Sequence, residues 1–270
     1  MIFRDLILDG LKKVPLGFLE RRRIKMQIDP EKCIGCEVCH PYCTVGAIHS
    51  VKKEGGEDLI SVVDQDECVE CGVCHRANIC PTEAIYPVEL KWPRSVRGVF
   101  SDPLTVHKDT GIAGRGTEEM KTNDVTGRIR RGHAGVAIEL GRPGVGTRFR
   151  DVDIMAQAVA KAGAVFEPKN PVTFLMADKS TGKIREDILN EKALSAIIEC
   201  GVEIDKLENL LSVIKATAPK LDTVFSLDLI CKVGEKGEME TLPIAQKAGF
   251  TPRPNTKNNI GFGRPLAKEE

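Results

Sequence analysis

The chain has 270 residues, and its 39 basic and 39 acidic side chains give zero formal net charge, which argues against a general nucleic-acid binder. Hydrophobic residues make up 41% and charged residues 29%, a composition typical of about two folded domains rather than of a disordered or fibrous chain. No run approaches the ~18 uncharged apolar residues of a spanning helix, and no secretory signal is visible. We therefore expect no transmembrane segment and a cytoplasmic location.

The first 25 residues carry an amphipathic pattern that ends at Pro15 and is followed by three consecutive arginines. The apolar positions at helical spacing are Ile2, Phe3, Leu6, Ile7, Leu11 and Val14. The pattern predicts an amphipathic docking helix that lies on a membrane surface or in the groove of a partner. A helix packed on its own protein is the alternative.

Eight of the ten cysteines fall in residues 26–90, in two groups with similar spacing. The first group reads C-x2-C-x2-C-x3-C and the second reads C-x2-C-x2-C-x5-C-P. In order, they are Cys33, Cys36, Cys39 and Cys43, then Cys68, Cys71, Cys74 and Cys80. Three thiolates at this spacing converge on one face of an iron–sulfur cubane, and a distant fourth completes the ligand set. The pattern predicts a pair of iron–sulfur clusters, with zinc or disulfides as the alternatives.

This segment resembles the bacterial two-cluster ferredoxins beyond the cysteines themselves. Ile28-Asp29 and Val63-Asp64 precede the two groups like that family's entering strands, and Gly46-Ala47-Ile48 and Glu83-Ala84-Ile85 follow them like its exit turns. The resemblance implies two [4Fe–4S] clusters with crossed ligation. Cys33, Cys36 and Cys39 would share a cluster with Cys80, and Cys68, Cys71 and Cys74 would share one with Cys43.

Two departures from that family bear on reduction potential rather than on ligation. Thr44 stands where the family has proline, and the gap before Cys80 is two residues longer than usual. His40 and His75 each follow a third cysteine and are candidates to donate to a sulfur, with ordinary surface histidines as the alternative. Trp92 is predicted to be a packing residue.

Charge is distributed unevenly along the chain. Residues 26–90 carry four basic and twelve acidic side chains, whereas residues 91–150 carry twelve basic and six acidic ones. The imbalance predicts that the basic stretches fold onto the acidic module or meet an acidic partner. Solvated surface charge is the alternative.

Residues 91–132 are glycine-rich with little periodicity, which predicts an irregular connecting or docking segment. Four basic side chains there are candidates for an anion-binding or docking surface: Arg94, Arg97, His107 and Arg115.

Residues 133–233 alternate between strand and helix patterns, and residues 234–270 form a C-terminal tail. The predicted elements are a strand at 136–140, a helix at 154–162, strands at 172–176 and 194–200, a helix opened by an Asp205/Glu208 capping box, and a strand at 225–233. This order is the split βαβ arrangement, so the fold class is α+β. Cys200 and Cys231 are predicted to pack in the core.

The first loop of this region contains Arg142-Pro143-Gly144-Val145, and residues 133–233 thereby resemble the ACT domain, a small-molecule sensing module. The resemblance implies a metabolite or anion site at Arg142, Gly144, Gly146 and Thr147, where glycine amides and a helix N-terminus favour a negative group. A plain tight turn is the alternative. The additional residues 146–150 before the helix depart from that family.

The chain contains no nucleophile elbow, zinc-protease motif, P-loop or complete dinucleotide motif, and we predict no catalytic residue. The first functional hypothesis is an electron-transfer subunit that passes single electrons to or from a larger anaerobic oxidoreductase, in a hetero-oligomeric complex with a redox partner. The second is a redox-linked regulator that binds a small metabolite in its ACT-like domain. The third is a self-contained iron–sulfur reductase.

Overall fold

The computed structural model describes residues 24–108 and 127–252, which form a mixed arrangement of helices and small antiparallel sheets. This agrees with an α+β fold class. The predicted N-terminal docking helix and Arg115 lie outside the described residues. Within them, no helix combines the length and apolar character needed to cross a membrane.

The first part, residues 24–90, consists of two antiparallel strand pairs and one short helix. Its elements are β1 (Ile24–Ile28), β2 (Ile48–Lys52), β3 (Leu59–Val63), α1 (Val73–Arg76) and β4 (Ile85–Glu89). β1 pairs with β4, and β2 pairs with β3. The two ends of the cysteine-rich segment therefore lie side by side, and its middle forms a hairpin.

The core of the first part mixes aliphatic side chains with cysteines. Met26, Ile48 and Ile85 are buried together with Cys39 and other cysteines of both groups. Cys39, Cys68 and Cys74 thus lie inside the module rather than on a peripheral loop.

The second part comprises the described residues 91–108 and 127–252, and in these residues it has four α-helices and eight strands. They are α2 (Ser95–Ser101), β5 (His133–Leu140), β6 (Thr147–Arg148), α3 (Phe149–Lys161), β7 (Val165–Phe166), β8 (Met176–Asp178), β9 (Lys183–Ile184), β10 (Lys192–Ala193), β11 (Ala196–Glu203), α4 (Leu207–Thr217), β12 (Phe225–Ile230) and α5 (Thr241–Lys247). A four-stranded sheet has the order β12-β5-β11-β7, and all neighbouring strands are antiparallel.

Apolar residues at every second position of the strands determine which face of the sheet packs against the helices. In β5, Val136, Ile138 and Leu140 point to the same core and are almost wholly buried. The helix α4 contributes Leu207, Leu210, Leu211 and Ile214 to that core, at the spacing of one helical face. The predicted strand at 136–140 and both predicted helices are confirmed, with bounds that differ by a few residues.

The predicted strand at 172–176 is wrong. Thr173–Leu175 form a 3-10 turn. The strand that follows β5 along the chain in this sheet is the two-residue β7, which pairs with Cys200 and Gly201 of β11. Val172, Leu175 and Met176 are all buried, at spacings of three and four that suit a helical turn as well as an apolar strand. A short apolar run does not separate these two structures.

The predicted capping box at the start of α4 is also absent. Asp205 lies inside a 3-10 turn, Ile204–Lys206, and the residue that precedes the helix, Lys206, makes no side-chain cap. Asp205 therefore lacks the extended backbone of a cap residue. Cys231, predicted in the last strand, lies just beyond the end of β12. There it is half-buried, and its Sγ accepts a hydrogen bond from the Thr241 hydroxyl.

Two segments predicted to be irregular contain helices. α2 lies in the glycine-rich segment after residue 91, and its Val96 and Phe100 are buried in the core of the second part. α5 lies in the predicted tail and packs Ala245 against the same core. Each helix spans only seven residues, which is too short for a clear periodic signal.

Candidate metal centre

Each group of three cysteines lies in a loop with the same backbone conformation. In the first cysteine loop, residues 33–39, Gly35 and Glu37 have φ values of 68° and 57°; in the second cysteine loop, residues 68–74, Glu70 and Gly72 have 58° and 68°. These are matched positions of the internal repeat. The left-handed residues turn the chain tightly, so the intervening cysteines face inward.

The same hydrogen bond closes the entrance of both loops. The Cys33 amide donates to the Asp29 carbonyl at 3.0 Å, and the Cys68 amide donates to the Asp64 carbonyl at 2.9 Å. The repeat inferred from the sequence is therefore a repeat of structure.

The two halves exchange their ends. The Asp29 amide donates to the Ala84 carbonyl at 2.9 Å, and the Asp64 amide donates to the Ala47 carbonyl at 2.7 Å. With the β1–β4 ladder, these bonds bring Cys80 to the first loop.

A pocket opens at the first cysteine loop. Four cysteines line it: Cys33, Cys36, Cys39 and Cys80. Ile28, Ile34, Val38 and Ile85 supply apolar walls. No three histidine, cysteine, aspartate or glutamate side chains among the described residues have the spacing of a single-ion site.

Backbone amides point at several of the sulfurs. The Ala47 amide donates to Cys43 Sγ at 3.0 Å, and the Ala84 amide donates to Cys80 Sγ at 3.3 Å, again at matched positions. The Ser61 amide donates to Cys33 Sγ at 3.3 Å. Such donors stabilise sulfur that carries negative charge, and thiolate is the form that binds metal.

The buried cysteines of the second loop, Cys68 and Cys74, need a positively charged partner to ionise. Burial raises the pKa of both Cys68 and Cys74 to about 12, so their thiols stay protonated at neutral pH unless a metal offsets the cost. Burial opposes ionisation of Cys80 as well, but hydrogen bonds from Thr82 and from amides lower its pKa overall. The donor set and the pocket fit a polynuclear iron–sulfur group.

Arginines predicted to form a docking surface instead bind the second loop from behind. Arg97 is 4% exposed, pairs with Glu191, and donates to the carbonyls of Asp66 and Cys68, each at 2.8 Å. Arg94 donates to Glu70 at 2.8 Å.

His107 is also buried, at 6% exposure. The prediction of an anion-binding or docking surface is therefore wrong for the buried Arg97 and His107, while Arg94 is half-buried and bound to Glu70. Part of the basic stretch instead folds onto the acidic module, which is one of the two outcomes that the charge pattern predicted.

Sequence patterns missed Glu70. Its carboxylate accepts the Met26 amide at 2.8 Å as well as the Arg94 guanidinium, and burial raises its pKa against the attraction of that arginine. A glutamate beside a cysteine looks like surface charge, and the long separation from Arg94 in the sequence hides the pair.

The two histidines beside the cysteines bond to groups other than sulfur. His40 Nε2 lies 3.0 Å from Ser61 Oγ, and His75 Nδ1 lies 3.2 Å from the Ile85 carbonyl. The indole of Trp92 donates to Asp187 at 2.6 Å and lies under the Arg185 guanidinium. Trp92 thus makes contacts at the surface and is 45% exposed, so it is not packed in a core.

The predicted anion site forms a tight turn whose amides are used internally. The amides of Val145 and Gly146 both donate to the Gly141 carbonyl, at 3.1 and 3.2 Å. Arg142 pairs with Glu139 at 2.7 Å. Gly144 has φ +62°, and Thr147 is 2% exposed.

The start of α3, next to this turn, is occupied as well. The Phe149 and Arg150 amides donate to the carbonyls of Glu191 and Leu189. Arg148 binds Asp66 at 2.6 Å.

Comparison with known proteins bears on the first loop. Residues 26–49 match a family model described as a 4Fe-4S binding domain. The match supports an iron–sulfur domain of ferredoxin type in this part of the chain. The match covers Cys33, Cys36, Cys39 and Cys43, and it supports binding of a [4Fe–4S] cluster and a role in electron transfer. No curated protein matches the chain.

Proposed function

We propose that residues 26–90 hold two [4Fe–4S] clusters with crossed ligation and that the chain serves as the electron-transfer subunit of a larger oxidoreductase. Cluster I takes Cys33, Cys36, Cys39 and Cys80; cluster II takes Cys68, Cys71, Cys74 and Cys43. The observation that carries the proposal is the pocket whose lining cysteines are the four assigned to cluster I.

The internal repeat supports the second cluster. The second loop has the same left-handed positions and the same entrance bond as the first. The Ala47 amide that bonds to Cys43 Sγ matches the Ala84 amide at Cys80 Sγ. If one loop with its crossed fourth cysteine holds a cluster, the equivalent residues hold another.

Bound clusters would supply one-electron redox chemistry, since each changes its charge by one. The chain's own residues hold the sulfurs, donate amide hydrogen bonds to them and restrict water. Burial of Cys68 and Cys74 and exposure of Cys36 give the two sites different surroundings. Solvent exposure and hydrogen bonding are the protein's means of setting reduction potential, so the two clusters should differ in potential.

Serine variants test the ligand assignment. Anaerobically purified wild-type protein should contain about eight iron and eight sulfide per chain. In redox titrations followed by electron paramagnetic resonance, Cys33→Ser and Cys80→Ser should disturb the same signal, and Cys68→Ser and Cys43→Ser should disturb the other.

Cys200→Ser is the matched control. Cys200 is a buried thiol in the second part, and its Sγ donates a hydrogen bond to the Val136 carbonyl. It should leave both signals and the iron content unchanged. Paired loss of Cys33 with Cys43, or about four irons in the wild-type protein, would contradict the proposal.

The second part is proposed to be a scaffold with the split βαβ topology of an ACT-like domain. The sheet order β12-β5-β11-β7 supports this topology. The turn proposed to bind a metabolite uses its Val145 and Gly146 amides for hydrogen bonds within the turn. This favours a scaffolding role for the second part over metabolite binding. Calorimetric titration with amino acids and small carboxylates should give no heat; binding that is lost in Arg142→Ala would support the regulator instead.

The subunit role is tested on native protein. We propose a cytoplasmic, anaerobic setting, because an exposed ligand such as Cys36 is vulnerable to oxidation. Strictly anaerobic isolation followed by mass spectrometry should yield a stoichiometric oxidoreductase partner. Isolation as a lone oligomer that turns over a substrate by itself would support the self-contained reductase.

A further inference from the structure

The two cysteine loops have matched backbones but opposite exposure. Ile34 in the first loop is 65% exposed, whereas its equivalent, Val69, is 1% exposed. Cys36 is exposed and its equivalent, Cys71, is only partly so. An internal repeat folded alone would expose both loops alike, so the difference comes from what lies against them.

The second loop is covered by the chain's own basic residues. Arg97 donates to the Cys68 carbonyl, and Arg148 and Lys192 bind the Asp66–Glu67 pair that precedes the loop. The second part of the chain thus serves as a model partner for this acidic module. It contributes positive side chains around a buried, closely packed contact.

The apolar side chains at the surface of the first loop are exposed in the described structure. Ile34 and Val38 of the first loop are 65% and 44% exposed. Leu59 of β3 is 47% exposed and lies directly against Gly35 of that loop. With the exposed Cys36 they form what we call the open face. Residues 29–59, which surround it, carry six acidic and three basic side chains.

Charge distinguishes the classes of occupant. Glu31 is the equivalent of Asp66, and both side chains are largely exposed. Asp66 is bound by Arg148 of the second part, whereas Glu31 pairs with Lys53 of its own module at 3.3 Å. A second copy of this chain would bring the same negative rim to the open face and be repelled. A partner with lysines or arginines around an apolar centre would complement it.

We propose that the open face docks a redox protein with an apolar centre and a basic rim, and that electrons enter or leave the chain there through Cys36. This rests on the proposed function, since it assigns an outer role to cluster I. Cluster II, behind the second part of the chain, is then the inner site. Within the described part of the module, one cysteine loop rather than both then serves as a port to a soluble partner.

A stopped-flow experiment with ferric cytochrome c, a small basic haem protein, tests the port. The variant is Ile34→Lys, which places a positive charge in the open face. The control is Val165→Lys, because Val165 is 73% exposed on the second part and the change in net charge is the same. Reduced protein is mixed with the probe anaerobically, and the second-order rate of haem reduction is measured at several ionic strengths.

The wild-type rate should fall as salt increases. Ile34→Lys should lower it about fivefold at low salt, whereas Val165→Lys should change it less than about twofold, since rim charges act mainly on the association rate. Equal effects of the two variants, or a wild-type rate that rises with salt, would overturn the port. The proposed function fails separately, if the wild-type protein gives no iron–sulfur signal or cannot reduce a small uncharged dye.

Discussion

Replacing Arg97 with alanine should weaken the attachment of the iron–sulfur module to the rest of the chain. This guanidinium is 4% exposed and is bound to Glu191, whose side chain is 14% exposed. It also supplies hydrogen bonds at 2.8 Å to the carbonyls of Asp66 and Cys68. The alanine variant would leave a largely buried carboxylate and two carbonyls without these donors.

The expected cost is about 3–5 kcal/mol of unfolding free energy, the range for removing one partner of a buried ion pair. The lost carbonyl bonds fall within that figure, because contributions from one network do not add. Arg97→Lys keeps the charge but loses the fork of donors, so we expect about half the loss. These free energies would be measured by urea unfolding, followed by the fluorescence of Trp92, the only tryptophan in the chain.

Arg150→Ala is the matched control. Arg150 pairs with Asp222 at 3.2 Å, but the two side chains are 48% and 78% exposed, so its loss should cost less than about 1 kcal/mol. If Arg97→Ala cost no more than Arg150→Ala, the buried pair would not hold the two parts together, and the reasoning from burial would be refuted.

Two further predictions concern the cysteine module and its edge. Gly35→Ala should lower stability by about 2–4 kcal/mol in urea unfolding, because φ is +68° and an added Cβ would lie 2.2 Å from the Leu59 carbonyl oxygen. Gly46→Ala, with similar φ and open space, should cost only about 1–2 kcal/mol; equal losses would remove the steric argument. Hydrogen bonding to Arg148 lowers the pKa of Asp66 below its ordinary 3.8. Its stabilising effect is therefore full above that value and is lost as the pH falls through the lowered one. Asp66→Asn should cost less than about 1 kcal/mol at neutral pH in urea unfolding, since the side chain is largely exposed, and a difference that grew on acidification would contradict this.

The sequence predicted the local features of the module better than its surroundings. Spacing of Cys33, Cys36 and Cys39 is a local signal, because three ligands in one loop must converge, and the family match covers that loop. The partners of Arg97 lie some thirty residues before it and ninety-four after it. No periodic or spacing pattern records such pairs, so a buried clamp and an exposed docking patch look alike in the sequence.

Secondary structure divides in the same way. β5 and α4 were predictable because each presents several apolar residues at one clear period. The two-residue β7 was not, because its pairing with β11 is defined by the neighbouring strand rather than by its own residues. Apolar runs as short as 172–176 suit either a strand or a helical turn, and only packing decides between them.

The exchanged ends of the repeat have a consequence for biosynthesis. The Asp29 amide bonds to Ala84, and the Asp64 amide bonds to Ala47, so each half of the module is closed by the other. A ribosome-bound chain that has emerged only as far as the β2–β3 hairpin has the first loop but neither β4 nor Cys80. If each half holds the cluster proposed for it, iron loading should wait until the segment through Ile85 has emerged, and the two halves should mature together.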